Sequence, residues 1–297
     1  MEPVAVSNIS LSTISITALC DEMEASKSTG FMWSKDDELF LITNWHCITG
    51  VNPLSGKSLS RTGARPNMIR AGLTTSQFGI KYALDIPLFD PDGNALWYVH
   101  PTAGEQVDIV AIKVPDLFDR VDIEAHSLAR PMNEFGSKRL QPFIGDELMV
   151  VGFPRNLHVH GLPLFKRATF ASEPILYKDS KNFGFEFNRR QVLIDCATRE
   201  GMSGSPVLHI KRSMMLRPFT DNEYDDLLDS HKFYGIYSGR ILDPDEDPSI
   251  NDLFAAQIGI VWPMPLIERI VAEGRLDRFR REDAFEKTRE GNEGELP

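Results

Sequence analysis

Cysteine is scarce in this sequence, with Cys20, Cys47 and Cys196 the only three among 297 residues. An odd number with no framework spacing predicts free thiols in a reducing compartment, not a fold stapled by disulfides. Close ligand clusters such as Cys-x-x-Cys are missing too, so the sequence predicts no metal and no cofactor. No apolar run approaches the roughly 18 residues of a membrane helix, and a soluble protein is expected. The start, Met1-Glu2-Pro3-Val4-Ala5-Val6-Ser7, has neither a basic region nor a lipidation motif. It reads as unsecreted and cytoplasmic. Positive charge falls short, 32 Lys and Arg against 43 Asp and Glu, for a formal net charge of −11. Phosphate binding is driven by lysine and arginine, so the balance argues against nucleic acid as the main partner and weakly favours a basic substrate. The pair Arg189-Arg190 reads as a solvated loop, and the run Arg278-Phe279-Arg280-Arg281 as a salt-bridged helix. No internal repeat is visible.

What the chain does have is strand signal at short spacing. β-branched and aromatic runs at 9–19, 31–33, 39–43, 95–99, 107–114, 147–152, 166–170, 184–187, 191–195, 205–210, 233–240 and 256–262 are separated by Gly, Pro, Asn and Asp. They predict an all-β sandwich or barrel. Pro263 and Pro265 stop the last strand, and Leu266-Ile267-Glu268-Arg269-Ile270-Val271 has the apolar spacing of a C-terminal amphipathic helix. Stretches 55–75, 220–232 and 243–252 read as surface loops, and the charged stretch 287–297 as a frayed tail.

Gly201-Met202-Ser203-Gly204-Ser205-Pro206 reads as a tight turn presenting one serine hydroxyl and free backbone N–H groups. A serine nucleophile with an oxyanion hole needs that arrangement, although glycine and serine also crowd ordinary turns. The serine needs a base, and the base needs a buried carboxylate to fix its tautomer. Leu39 to Cys47 carries an apolar strand straight into His46, and Asp108 opens the β-branched run 107–114. Chain order is His, Asp, Ser, the order of the chymotrypsin-type triad. His100 is a minor contender for the base, while His126, His158, His160, His209 and His231 read as surface or structural. Cys196 is a weaker candidate nucleophile, because it lacks a glycine turn.

These windows resemble the trypsin-like, chymotrypsin-fold serine peptidases, and especially the bacterial HtrA/Deg-like branch without a PDZ domain. Thr43-Asn44-Trp45-His46-Cys47 is similar to the family's Thr-Ala-Ala-His-Cys box, and Val107 to Ile112 to the strand that carries its aspartate. Gly201 to Pro206 matches Gly-Asp-Ser-Gly-Gly-Pro except at Met202 and Ser205, and Tyr234 to Gly239 looks like the strand after the nucleophile. Gly259 to Val271 looks like the closing strand and C-terminal helix, so the likeness spans residues 10–275.

The resemblance implies two six-stranded antiparallel β-barrels and a C-terminal α-helix: a first barrel at 1–128 with His46 and Asp108, a second at 129–275 with Ser203, and a charged tail at 276–297. It implies a serine endopeptidase acting on protein or peptide, with a regulatory partner protein in prospect. The N–H groups of Gly201 and Ser203 would form the oxyanion hole, and Ser238 would support Asp108. Two departures carry information. Met202 stands where zymogen-type relatives have an aspartate that pairs with a new N-terminus, so activation by N-terminal cutting is not expected. Six residues before Ser203 stands Ala197, where trypsin-type enzymes hold an aspartate. With Thr198, Gly239 and Gly259 around it and Glu200 near its rim, the specificity pocket is expected to be neutral and to take a small to medium apolar side chain. The family's usual disulfide partner for Cys47 falls at Phe31, so that bond is not available. The branch also includes intracellular effectors of bacterial stress and phage defence. Two alternatives stay open: a catalytically silent binding module on the same fold, and an esterase using the same triad.

Overall fold

The structure, a computed structural model, describes residues 7–36, 38–53, 55–60, 63, 65–74, 81–114, 131–132, 142–174, 191–210, 231–240 and 257–281. Its first half is an antiparallel sheet of β1 (Thr13–Cys20), β2 (Met23–Lys35), β3 (Glu38–Thr43), β4 (Met68–Thr74), β5 (Lys81–Pro87), β6 (Trp97–Val99) and β7 (Val110–Lys113). Its second half comprises β8 (Glu147–Gly152), β9 (Leu164–Phe170), β10 (Val192–Asp195), β11 (Pro206–Ile210), β12 (His231–Arg240) and β13 (Ile258–Pro263). These six close into a barrel in the order β10-β13-β12-β11-β8-β9. The first sheet has eight strands, in the order β14-β6-β7-β3-β2-β1-β4-β5, where β14 is Arg275–Leu276 from the far end of the chain. The expected all-β class and the closed six-stranded barrel are therefore present, and the first half takes a C-terminal strand into an eight-stranded sheet whose edges are β14 and β5.

Period-2 alternation explains how the halves meet. On β2, β3 and β7, Met32, Leu41, Val110 and Ile112 point into the first sheet's own core. Their neighbours Phe31, Trp33, Phe40, Ile42 and Ala111 point the other way, against Val151, Leu208, Phe233, Ile236 and Trp262 of the barrel. The helix α3 (Met264–Glu273) adds Leu266, Ile267 and Ile270 to that shared core. Its apolar stripe matches the helical spacing read from the sequence. Phe31, Trp33 and Phe233 form an aromatic cluster there, with centroids 5.3 to 6.5 Å apart.

Three local outcomes differ from the sequence reading. Chain 55–75 is not all loop: β4 lies within it and buries Ile69, Ala71 and Leu73 on one face. The run expected to be a strand from residue 9 begins as a short helix, α1 (Asn8–Ser12), at whose end the hydroxyls of Ser12 and Thr13 donate back to the carbonyls of Asn8 and Ile9. Residues 276–281, read as the head of a charged tail with a helical arginine run, are not helical and return to the first sheet, Leu276 pairing with Tyr98 and Arg280 bridging to Asn94. There Asp277 Oδ2 accepts the indole N–H groups of Trp45 at 2.7 Å and Trp97 at 2.9 Å, and the Phe279 ring packs edge-on against Trp45. The expected strand at 184–187, the loops at 220–232 and 243–252 and the tail at 287–297 lie outside the described residues. All three cysteines are free thiols. Among the described residues, no helix is long and apolar enough to cross a membrane.

Candidate active site

β3 ends at Thr43, and after Asn44 the chain turns into the helix α2 (Trp45–Thr49) that carries His46. Asp108 sits just before β7, which pairs with β3 through Thr43 and Val110. The Asn44 side chain donates to the Asp108 carbonyl at 2.7 Å, tying the two segments together. The buried carboxylate then takes hold of His46 at 2.7 Å through Oδ2 on the ring Nδ1 and at 3.0 Å through Oδ1 on the backbone N–H. An ionised carboxylate only accepts, so Nδ1 carries the hydrogen and Nε2 is left as the basic nitrogen. Burial alone would lower the His46 pKa, but the Asp108 carboxylate and then Cys47 outweigh it and hold the ring well above its ordinary 6.5. The Cys47 thiol lies 3.5 Å from Nε2.

The Gly201–Pro206 segment follows the barrel strand β10. Gly201 has φ +89° and Gly204 φ +85°, the left-handed region where a side chain is strained. A Cβ at Gly201 would also overlap the carbonyl oxygen of Phe153, and one at Gly204 that of Thr29. Met202 is fully buried among Leu148, Val150, Cys196, Val207 and Tyr237, so the turn is anchored by apolar packing where zymogen-type relatives place a charge. Ser203 is half-buried, and its hydroxyl donates to the carbonyl of Ser238 at 3.0 Å. Ser238 lies at a register shift of the β12–β13 ladder between Tyr237 and Gly239, and its own hydroxyl donates to Asp108 Oδ2. One residue thus links serine and aspartate. Among the described residues, no hydrogen bond joins Ser203 to His46, and the N–H groups of Gly201 and Ser203 donate to no carbonyl.

Of the expected pocket residues, Thr198 is buried and its hydroxyl is hydrogen-bonded to that of Tyr237. Ala197 is half-buried beside it. A Cβ on Gly259 would come within 2.6 Å of the Tyr237 ring, whereas one on Gly239 would meet nothing within 4 Å. Tyr237, buried so that its phenol pKa is pushed up to about 12, lies among the expected pocket residues and was not named with them in the sequence reading. The signal was its place immediately before Ser238. Asn44, which ties the two segments together, carried no signal of its own because its partner at Asp108 comes near only on folding. The Cys196 thiol is pushed up to about 11, chiefly by burial, and lies against the Arg167 carbonyl, which removes it as a nucleophile. His100 is fully buried and accepts the Ala103 N–H at 3.1 Å, and His209 bonds Asp146 at 2.9 Å, so both serve structure. Among the described residues, no group of three His, Cys, Asp or Glu side chains is placed to hold a metal ion.

A closed antiparallel barrel packed on a second sheet, with a C-terminal helix, is the chymotrypsin-like architecture of a trypsin-like serine endopeptidase. The chain belongs to the trypsin-like peptidase domain family, whose model matches residues 28–214. Among solved structures it is similar to the active form of the Rv3671c protease from M. tuberculosis, with 17% identity, coverage of 91% of this chain and 85% of that one, and a TM-score of 0.46. It is also similar to the serine endoprotease from Yersinia pestis, with 12% identity, coverage of 90% and 66%, and a TM-score of 0.47. No curated protein matches the sequence.

Proposed function

We propose that this serine endopeptidase cuts peptide bonds through an acyl-enzyme, with Ser203 as nucleophile, His46 as base and Asp108 as its orienter. The observation that carries the reading is the Asp108 carboxylate, which holds His46 directly and reaches Ser203 through Ser238. Ser203 Oγ turns from the Ser238 carbonyl toward His46 Nε2 and attacks the peptide carbonyl carbon while Nε2 takes its proton. The N–H groups of Gly201 and Ser203 receive the oxyanion, where one such donor is worth about 2.7 to 4 kcal/mol in other peptidases. His46 passes the proton to the leaving amine as the C–N bond breaks. Water, deprotonated by His46, then releases the acyl group and Ser203 regains its hydrogen. Two units contribute, 1–128 with His46 and Asp108 and 129–275 with Ser203.

For specificity, Ala197 offers no charge, and the Thr198–Tyr237 hydrogen bond places a phenol against Gly259. This supports a pocket for a small uncharged side chain rather than lysine or arginine. The Ser203 hydrogen bond to Ser238 favours a second reading, a catalytically silent module of the same fold. A fluorophosphonate probe separates the two: covalent labelling of the wild type, absent in Ser203→Ala and His46→Ala, supports the enzyme. A folded wild type that takes no label supports the silent module.

A further inference from the structure

Three carbonyl groups around the nucleophile turn are tied down, and each tie fixes an N–H. In a trans peptide the N–H points opposite to the C=O. The Glu200 carbonyl accepts the Arg155 N–H at 2.6 Å, so the Gly201 N–H faces away from the Arg155 turn. The Met202 carbonyl accepts the Ser205 N–H at 3.0 Å, which sets the Ser203 N–H in the same manner. Between them, the Gly201 carbonyl accepts the Thr29 hydroxyl at 2.7 Å.

Thr29 is the hub of this arrangement. It is fully buried on β2, in the other half of the molecule from the turn it contacts. Its N–H donates to the Ser203 carbonyl at 2.8 Å, its own carbonyl accepts the Thr43 hydroxyl at 2.8 Å, and its Oγ accepts the Phe153 N–H at 3.2 Å. Phe153 opens the turn that carries Arg155. Arg155 and Asn156 both adopt left-handed backbone, φ 49° and 58°, which non-glycine residues avoid. In this turn the Arg155 N–H meets the Glu200 carbonyl. Strain of this sort persists where the surroundings over-determine it.

We propose that Thr29, together with the Phe153–Asn156 turn, is the positioning device for the oxyanion hole. Thr29 holds the turn and the nucleophile segment at a fixed spacing, and the Arg155 N–H locks the peptide that presents the Gly201 donor. Thr29 is fully buried and acts through the turn, and Arg155 acts through its backbone N–H. The inference rests on Ser203 being the nucleophile and on the N–H groups of Gly201 and Ser203 being the oxyanion donors.

The test uses the full chain and the fluorophosphonate probe, separating the maximal labelling rate from the half-saturating concentration. Thr29→Val lacks the hydroxyl, and Arg155→Pro lacks the N–H and forbids positive φ. Both are expected to lower the maximal rate about 100-fold with half-saturation within about threefold, the pattern of a lost transition-state donor. Thr29→Ser, and Arg155→Gly, which keeps the N–H and suits the left-handed backbone, are expected to recover most of the rate lost. Arg155 is exposed, so its variants carry the test should Thr29→Val not fold. A maximal rate in folded Arg155→Pro equal to wild type, or a change in half-saturation alone, overturns the proposal. Labelling that persists in Ser203→Ala overturns the underlying reading as well, and so tells the two failures apart.

Discussion

Asp108 grips His46 at two points, its ring Nδ1 at 2.7 Å and its backbone N–H at 3.0 Å. A carboxylate held this way fixes the ring's plane and its tautomer, and it favours the imidazolium form. Burial works against that charge, yet the His46 pKa stands well above 6.5. On the proposed reading, only the neutral ring is a base. The acid limb of the labelling rate is therefore expected to have its midpoint above pH 6.5. Because the folded pKa is raised, the stability that His46 contributes is complete below the unfolded value and is lost as pH rises through the folded one. An NMR titration of the His46 ring checks both statements. In Asp108→Asn the midpoint is expected to fall and the labelling rate to drop about 10⁴-fold.

Met202 makes a second expectation concrete. Its side chain is fully enclosed by the barrel core. Met202→Leu conserves volume and is expected to cost less than about 1.5 kcal/mol. Met202→Asp places a carboxylate with no partner among apolar side chains, and is expected to cost several kcal/mol. Urea unfolding followed by tryptophan fluorescence reads both. Stability of Met202→Asp equal to wild type would mean the turn is not anchored by this packing.

The returning segment 276–281 supplies a third. Asp277 satisfies two indole N–H groups, and one of them belongs to the residue just before His46. Asp277→Ala leaves both without that acceptor, at about 1 to 3 kcal/mol for each buried group. Lower stability is expected together with slower labelling of Ser203. A chain ending at Gly274 is expected to show the same pair of effects more strongly.

Specificity gives the fourth. Digestion of a peptide library by the wild type is expected to occur after small uncharged residues. Thr198→Ala removes one partner of the Tyr237 hydroxyl and is expected to broaden that preference modestly. Cleavage mainly after lysine or arginine would refute the neutral pocket.

Much of this was legible in the sequence, for a physical reason. His46, Asp108 and Ser203 each lie within one short stretch whose turn or strand signal is local, and α3 announces itself through its apolar spacing. β4 was hidden because Ile69, Ala71 and Leu73 alternate inside a stretch rich in Ser, Gly and Arg. Segment 276–281 was hidden because its charge reads as solvated tail, while its anchors, Asp277 and Phe279, find partners some 180 residues or more away in sequence. Thr29 had no local signal either. Its partners at 201, 203 and 153 exist only once the two halves close on each other.

The irregularity at Ser238 has one more consequence. A strand residue in regular register spends its carbonyl on the neighbouring strand, but a bulge leaves that group to bond elsewhere. Here it accepts the Ser203 hydroxyl. On the proposed reading, the nucleophile's hydroxyl is bonded to a neutral acceptor here, and attack exchanges that bond for one to His46. Whatever alters the Ser238 bulge then alters which acceptor the Ser203 hydroxyl takes.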